Sequence, residues 1–131
     1  MKKILTVQWM PRSRRQLVPG LVRLLDQTRL PTEVVYVDTA DIRKIWKAIK
    51  ILQVRGAPAI GIAAAMGVAA AAQNVKARSG RDMIEAVDRF ADYLATSRPT
   101  AVNLFWALDR MKRVTREHAG LPPAELRERL V

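Results

Sequence analysis

Residues Ala57–Ala72 carry no charged side chain, and this run constrains the fold more than any other stretch of the chain. It is shorter than the ~20 residues needed to cross a bilayer. Alanine is the strongest helix former, and alanine and glycine leave little side-chain bulk on a helix surface. The run therefore reads as a helix packed closely against its neighbours. Its start is marked by Pro58, which lacks an N–H and suits the first helical turn. Immediately before it stand Val54, Arg55 and Gly56.

A chain of 131 residues suits one domain with a modest core. The first 37 positions read as short strands at 4–9, 21–25 and 33–36, separated by Pro11, by Pro19-Gly20 and by Leu30-Pro31. The arginine- and proline-bearing stretch 11–20, with Arg12, Arg14 and Arg15, is expected to be an exposed loop. From Asp38 the apolar period becomes helical. Asp38 or Thr39 is available as an N-cap, and Ile42, Ile45, Trp46, Ile49 and Leu52 form one stripe. Further helices are expected at 58–77, 81–95 and 100–118, the last ended by Gly120 and Pro122-Pro123, with a fifth beginning at Pro123. The expected fold class is α+β, a small antiparallel sheet subdomain over 1–37 followed by a helical bundle over 38–131. The sequence stops at Val131, barely two turns into the fifth helix, as the front part of a longer polypeptide would.

Cysteine is absent, which excludes disulfides, thiolate metal sites and a cysteine nucleophile from this polypeptide, and fits a reducing compartment. The apolar run at 4–7 stops at Gln8 without a cleavage signature, so a cytoplasmic location is expected. No metalloprotease, serine-hydrolase or phosphate-loop pattern occurs, and no metal site is expected. The net charge of +11 is spread over Arg43, Lys44, Lys47 and Lys50 and over Arg110, Lys112, Arg113 and Arg116, with no interleaved aromatics for base stacking. Solvated helix faces, or an acidic partner, account for it better than sequence-specific nucleic-acid binding.

Arg55, Gly56 and Ala57 form a candidate anion site. A helix N-terminus presents unpaired N–H groups and a partial positive charge. Gly56 lets the backbone approach an oxygen, and the Arg55 guanidinium can bind two phosphate oxygens at once. Arg98 stands before a second apolar helical run, with Thr100 as a cap or weak donor, so two arginines could converge on one phosphate. An arginine before glycine is equally at home on an ordinary surface. Other candidates read as structural: His118 as a solvated helix-end residue, Asp88 and Asp92 as part of a charged face with Arg81 and Arg89, Asp38 and Asp41 as helix starts. Trp46 and Trp106 are expected in packing, and Asn103 as a polar residue needing partners.

The runs at 54–65 and 98–104, Arg-Gly-Ala-Pro-Ala-Ile-Gly and Arg-Pro-Thr-Ala-Val-Asn-Leu at their centres, together with Leu25-Asp26-Gln27 and Trp106-Ala107-Leu108, closely resemble the amino-terminal domain of S-methyl-5-thioribose-1-phosphate isomerases. The resemblance spans about 21–111. It implies an aldose-ketose isomerisation in methionine salvage that needs no cofactor, in a homodimer, with Arg55, Gly56, Ala57 and Arg98 at substrate-binding positions. It also implies that the catalytic cysteine and aspartate lie in a Rossmann-like second domain, so this chain holds no catalytic residue and is expected to be inactive alone. Met66 stands where the family usually has tyrosine, and the 11–20 loop is longer than usual. Two relatives of the family mark alternatives: regulatory subunits of the initiation-factor exchange complex and ribose-1,5-bisphosphate isomerases. A basic nucleic-acid-binding fragment is a further possibility.

Overall fold

The computed structural model describes residues 7–11, 19–26, 35–51, 57–98 and 101–130. Three strands form an antiparallel sheet in sequence order: β1 (Val7–Pro11), β2 (Gly20–Leu25) and β3 (Tyr36–Thr39). The central strand sets the sheet's two faces, because Val22 and Leu24 are buried while Leu21 and Arg23, which alternate with them, are more exposed. Register pairs Trp9 with Val22 and Val22 with Thr39, so those positions lie in one row across the sheet. On the outer face Arg23 donates to both carboxylate oxygens of its cross-strand partner Asp38, at 2.8 and 2.9 Å. The third strand comes later than the punctuation suggests. Asp38 and Thr39 belong to it, and the capping position falls on Asp41.

Five helices follow: α1 (Ile42–Lys50), α2 (Ala57–Ala72), α3 (Gly80–Ala95), α4 (Val102–Glu117) and α5 (Pro123–Leu130). Helix α1 begins where an Asp41 carboxylate oxygen accepts the Arg43 N–H at 2.9 Å, and Asp41 is itself tied down by donating its N–H to the Thr39 hydroxyl. Helix α3 starts at Ser79, whose hydroxyl oxygen accepts the Asp82 N–H while the Asp82 carboxylate accepts from Arg78 N.

Helix α2 is the axis of the molecule. It packs against all four other helices and against β1 and β2, most extensively against α4. Ala63, Ala64, Val68, Ala70 and Ala72 are buried on its successive faces, as the uncharged composition requires. Around it Leu24, Ile45, Ile49, Met83, Leu94, Leu104 and Leu126 complete the core. The bulk that alanine lacks is supplied by neighbours that approach closely.

That helix stops at Ala72, five residues before the expected end, where the N–H groups of Gln73, Asn74 and Val75 donate to the Ala70, Ala71 and Ala72 carbonyls in tight turns, and a distant side chain caps it. Arg127 of α5 donates to the Ala72 and Val75 carbonyls at 3.2 and 2.6 Å, filling acceptors that a continued helix would have used. Gln73 at the same end links to the sheet: Gly20 N donates to its Oε1 at 2.6 Å, and its Nε2 donates back to the Gly20 carbonyl at 3.0 Å. Gly20 must lack a Cβ here, since one would fall 2.7 Å from the Trp9 indole. Among the described residues no helix is long and apolar enough to cross a membrane.

Candidate functional site

Helices α2 and α4 approach closely near their starts. A Cβ built on Gly61 of α2 would lie 3.1 Å from the Asn103 carbonyl and 3.5 Å from the Ala107 Cβ of α4. The glycine therefore permits near-contact of the two backbones. Farther along, Ala69 of α2 and Met111 and Val114 of α4 line the same groove, so the helices run side by side in the same sense. Their positive ends consequently lie at one end of the bundle. Neither helix has an acidic residue in its first turn to neutralise that end. Helix α4 also lacks a side-chain cap, since its N-cap position falls on Ala101 rather than Thr100.

Arg98 stands four residues before α4 in the chain. Its Nε donates to the Ile49 carbonyl at 2.8 Å, a partly buried bond. Ile49 lies in the last turn of α1, where carbonyls lack helical partners and the dipole favours a cation. With Nε held this way, the orientation of the guanidinium plane is constrained. The approach to Arg98 is braced as well. Ser97 is buried and donates its hydroxyl to the Leu94 carbonyl at 2.6 Å, and Trp46 Nε1 donates to Thr96 Oγ1 at 2.8 Å while its ring stacks on Tyr93.

Of the positions singled out in the sequence, Ala57 is the first residue of α2 and Arg98 sits beside the end of α1. Arg55, Gly56 and Thr100 lie outside the described residues, as do Arg12, Arg14 and Arg15. Asp88 and Asp92 do belong to a charged face, but their partners are on another helix: Arg116 donates to Asp88 at 2.7 Å and Lys112 to Asp92 at 2.8 Å. Arg81 instead approaches Glu85. His118 is the C-cap of α4. Trp46 packs as expected, but Trp106 does not. Its side chain is 68% exposed, because it projects from α4 opposite the buried stripe of Leu104, Leu108, Met111 and Thr115.

A feature absent from the sequence reading is the groove itself, about 610 Å³, between α2 and α4. Ile62, Met66, Asn103, Trp106 and Arg110 line it, with Trp9 from β1 and Arg129 from α5. Among the described residues no cluster of three side chains could hold a metal ion.

Comparisons with known proteins agree with this architecture. A 5-deoxyribose 1-phosphate isomerase of Bacillus thuringiensis is 49% identical over 108 residues, covering 82% of this chain and 31% of that protein. A methylthioribose-1-phosphate isomerase of Geobacter sulfurreducens is 49% identical over 107 residues, again covering 82% and 31%. Among solved structures, 5-methylthioribose 1-phosphate isomerase from Pyrococcus horikoshii matches with a TM-score of 0.83 at 35% identity, over 99% of this chain and 34% of the other. Translation initiation factor eIF-2B, subunit delta, from A. fulgidus matches with a TM-score of 0.82 at 31% identity, over 98% and 34%. The chain thus spans about a third of the length of these relatives. The model of the Initiation factor 2 subunit family matches residues 53–131, well over half of the sequence, and the chain belongs to that family.

Proposed function

We propose that this chain forms the phosphate-holding part of an isomerase that converts S-methyl-5-thioribose 1-phosphate to S-methyl-5-thioribulose 1-phosphate. The observation that supports the reading is the close approach of α2 and α4 near their starts, with no acidic residue in either first turn; Arg98, four residues before α4, is held by the Ile49 carbonyl. An anion placed there gains backbone N–H donors, two helix dipoles and a guanidinium. In this proposal Arg55 and Arg98 grip the phosphate oxygens while Gly56 and Ala57 donate backbone N–H groups.

The chemistry asks for such a grip. Phosphate on the anomeric oxygen prevents spontaneous ring opening, so opening needs acid assistance before hydrogen moves between C1 and C2. Holding the phosphate fixes C1 and C2 relative to the acid and base. Those groups would come from a second domain, as the sequence resemblance implies, leaving this chain silent on its own.

The similar proteins act on two sugars by name, methylthioribose 1-phosphate and 5-deoxyribose 1-phosphate, at the same 49% identity. Both are 1-phosphorylated, so the phosphate grip serves either. The similarity to an initiation-factor subunit at a TM-score of 0.82 supports a second reading, a regulatory module using the same fold for protein contacts.

The test is a chimera in which this chain replaces the matching third of the Geobacter sulfurreducens relative. Arg55→Ala or Arg98→Ala should each raise KM for methylthioribose 1-phosphate about 10- to 100-fold, the worth of a hydrogen bond to a charged group. An unchanged KM in both variants would remove the phosphate role. Turnover of 5-deoxyribose 1-phosphate alone would change the substrate, and binding without turnover of either would favour the regulatory module.

A further inference from the structure

The groove between α2 and α4 does not end at its own walls. On its lip Trp106 is 68% exposed and Ile62 48%, and Val102, one turn before Trp106 on α4, is 56% exposed. A bound sugar phosphate could fill part of the groove but would leave that ridge in water. Contiguous apolar surface of this kind marks a macromolecular contact, and tryptophan is the commonest anchor of such contacts.

The charges around it are mostly positive, with Asp109 the one described carboxylate beside Trp106. Arg110 and Arg129 line the groove, no carboxylate among the described residues does, and Arg113 and Asp109 lie beside Trp106 on the exposed side of α4. Arg116 and Lys112, on the side of α4 facing α3, are matched by Asp88 and Asp92. Arg110, Arg113 and Arg129 have no ion-pair partner among the described residues. A complementary surface therefore carries apolar side chains flanked by carboxylates. A second copy of this chain is a poor fit, since it would bring another net +11 and the same arginine rim.

The relatives that match nearly the whole chain, at TM-scores of 0.83 and 0.82, devote only 34% of their length to the match. From these observations we infer that the α2/α4 groove and the Val102–Trp106 ridge seat an apolar, acid-flanked surface of the polypeptide that those relatives carry beyond this region. The surface is an internal interface of the complete protein. This inference does not depend on the phosphate reading, because an isomerase and a regulatory subunit would both cover the same ridge.

Hydroxyl-radical footprinting reads it directly, comparing the chain alone with the chimera described above. Oxidation of Trp106 should fall about tenfold in the chimera, while Tyr36 and Tyr93, exposed on other faces, should keep their reactivity. Equal oxidation of Trp106 in both would overturn the inference. So would protection of Trp106 in the chain alone that rises with concentration and accompanies a dimer in sedimentation, which would make a second copy the occupant. A second measurement stands without the chimera. An amphipathic helical peptide with a leucine stripe flanked by glutamates should bind the chain about tenfold more tightly than the same peptide flanked by lysines, and Arg110→Glu with Arg129→Glu should reverse that order. Equal binding of the two peptides, or a preference for lysine, would also overturn it.

Discussion

Arg23 and Asp38 show how a pair of surface residues can be structural without being a site. Arg23 also lies 5.6 Å over the Tyr36 ring, so one side chain ties β2 to two positions of β3. The hydrogen bonds from Arg23, more than its charge, hold the Asp38 carboxyl below the usual carboxylate range, and Asp38 in turn raises the guanidinium. A lowered folded-state value means that the carboxylate's contribution is present above the unfolded value of about 3.9 and is lost as pH falls through the folded one. Below about pH 4 the thermal midpoint of the native chain should therefore fall more steeply than that of Asp38→Asn. The difference should shrink in high salt, because about a third of each side chain is open to solvent. Parallel midpoints in acid, measured by circular dichroism, would count against the pair. Neither partner could be matched from sequence, because register depends on which strands meet, and the third strand starts later than its flanking residues suggest. Trp106 failed differently. Its place opposite the Leu104, Leu108, Met111 and Thr115 stripe is readable on a helical wheel, but an aromatic in an apolar segment invites assignment to the core.

Among the elements, α2 was the most legible, because an uncharged alanine-rich run of this length reads as a helix packed among its neighbours, although Ile62 is 48% exposed. Its end was not legible, since the cap is Arg127, a residue far away in the chain that reaches the Ala72 carbonyl. Helix α4 carries the opposite lesson. Its buried residues are few and large, and Leu104 is fully enclosed between α4 and the core. Leu104→Ala should cost about 2–5 kcal/mol of unfolding free energy, the range for emptying a leucine site that cannot collapse around the gap. Trp106→Ala, by contrast, should change the stability of the isolated chain by under ~0.5 kcal/mol, as substitutions at exposed positions usually do. Urea titration of the two variants checks both values. A large loss from Trp106→Ala would mean that its ring contributes to this fold rather than to a neighbour.

For the whole molecule, the expected α+β class and its order, sheet first and helices after, match the structure. So does the family, although the chain covers only 31% of the curated isomerases it resembles. On the proposed function, a chain that spans a third of such relatives binds without turning over. The isolated chain should bind inorganic phosphate weakly and show no isomerase activity, with activity appearing only in the chimera; calorimetry and a coupled assay measure the two. Turnover by the isolated chain would place the acid and base within these residues. The +11 charge gains a partial account at this level. Several cations are consumed within the fold, Arg23, Arg116 and Lys112 by carboxylates and Arg98 and Arg127 by backbone carbonyls, while Arg110 and Arg129 remain at the groove and Arg113 beside Trp106.

Local rules of the chain decided the helices and the small sheet, because propensity, capping and apolar period act over a few residues and need no knowledge of what lies opposite. Folding in three dimensions decided that the α2 and α4 entries stand side by side at Gly61, that Arg98 is held by the last turn of α1, and that a groove with an uncovered tryptophan ridge opens between them. Those are relations between segments distant in the chain. They are set by which surfaces exclude water together, and no single segment encodes that.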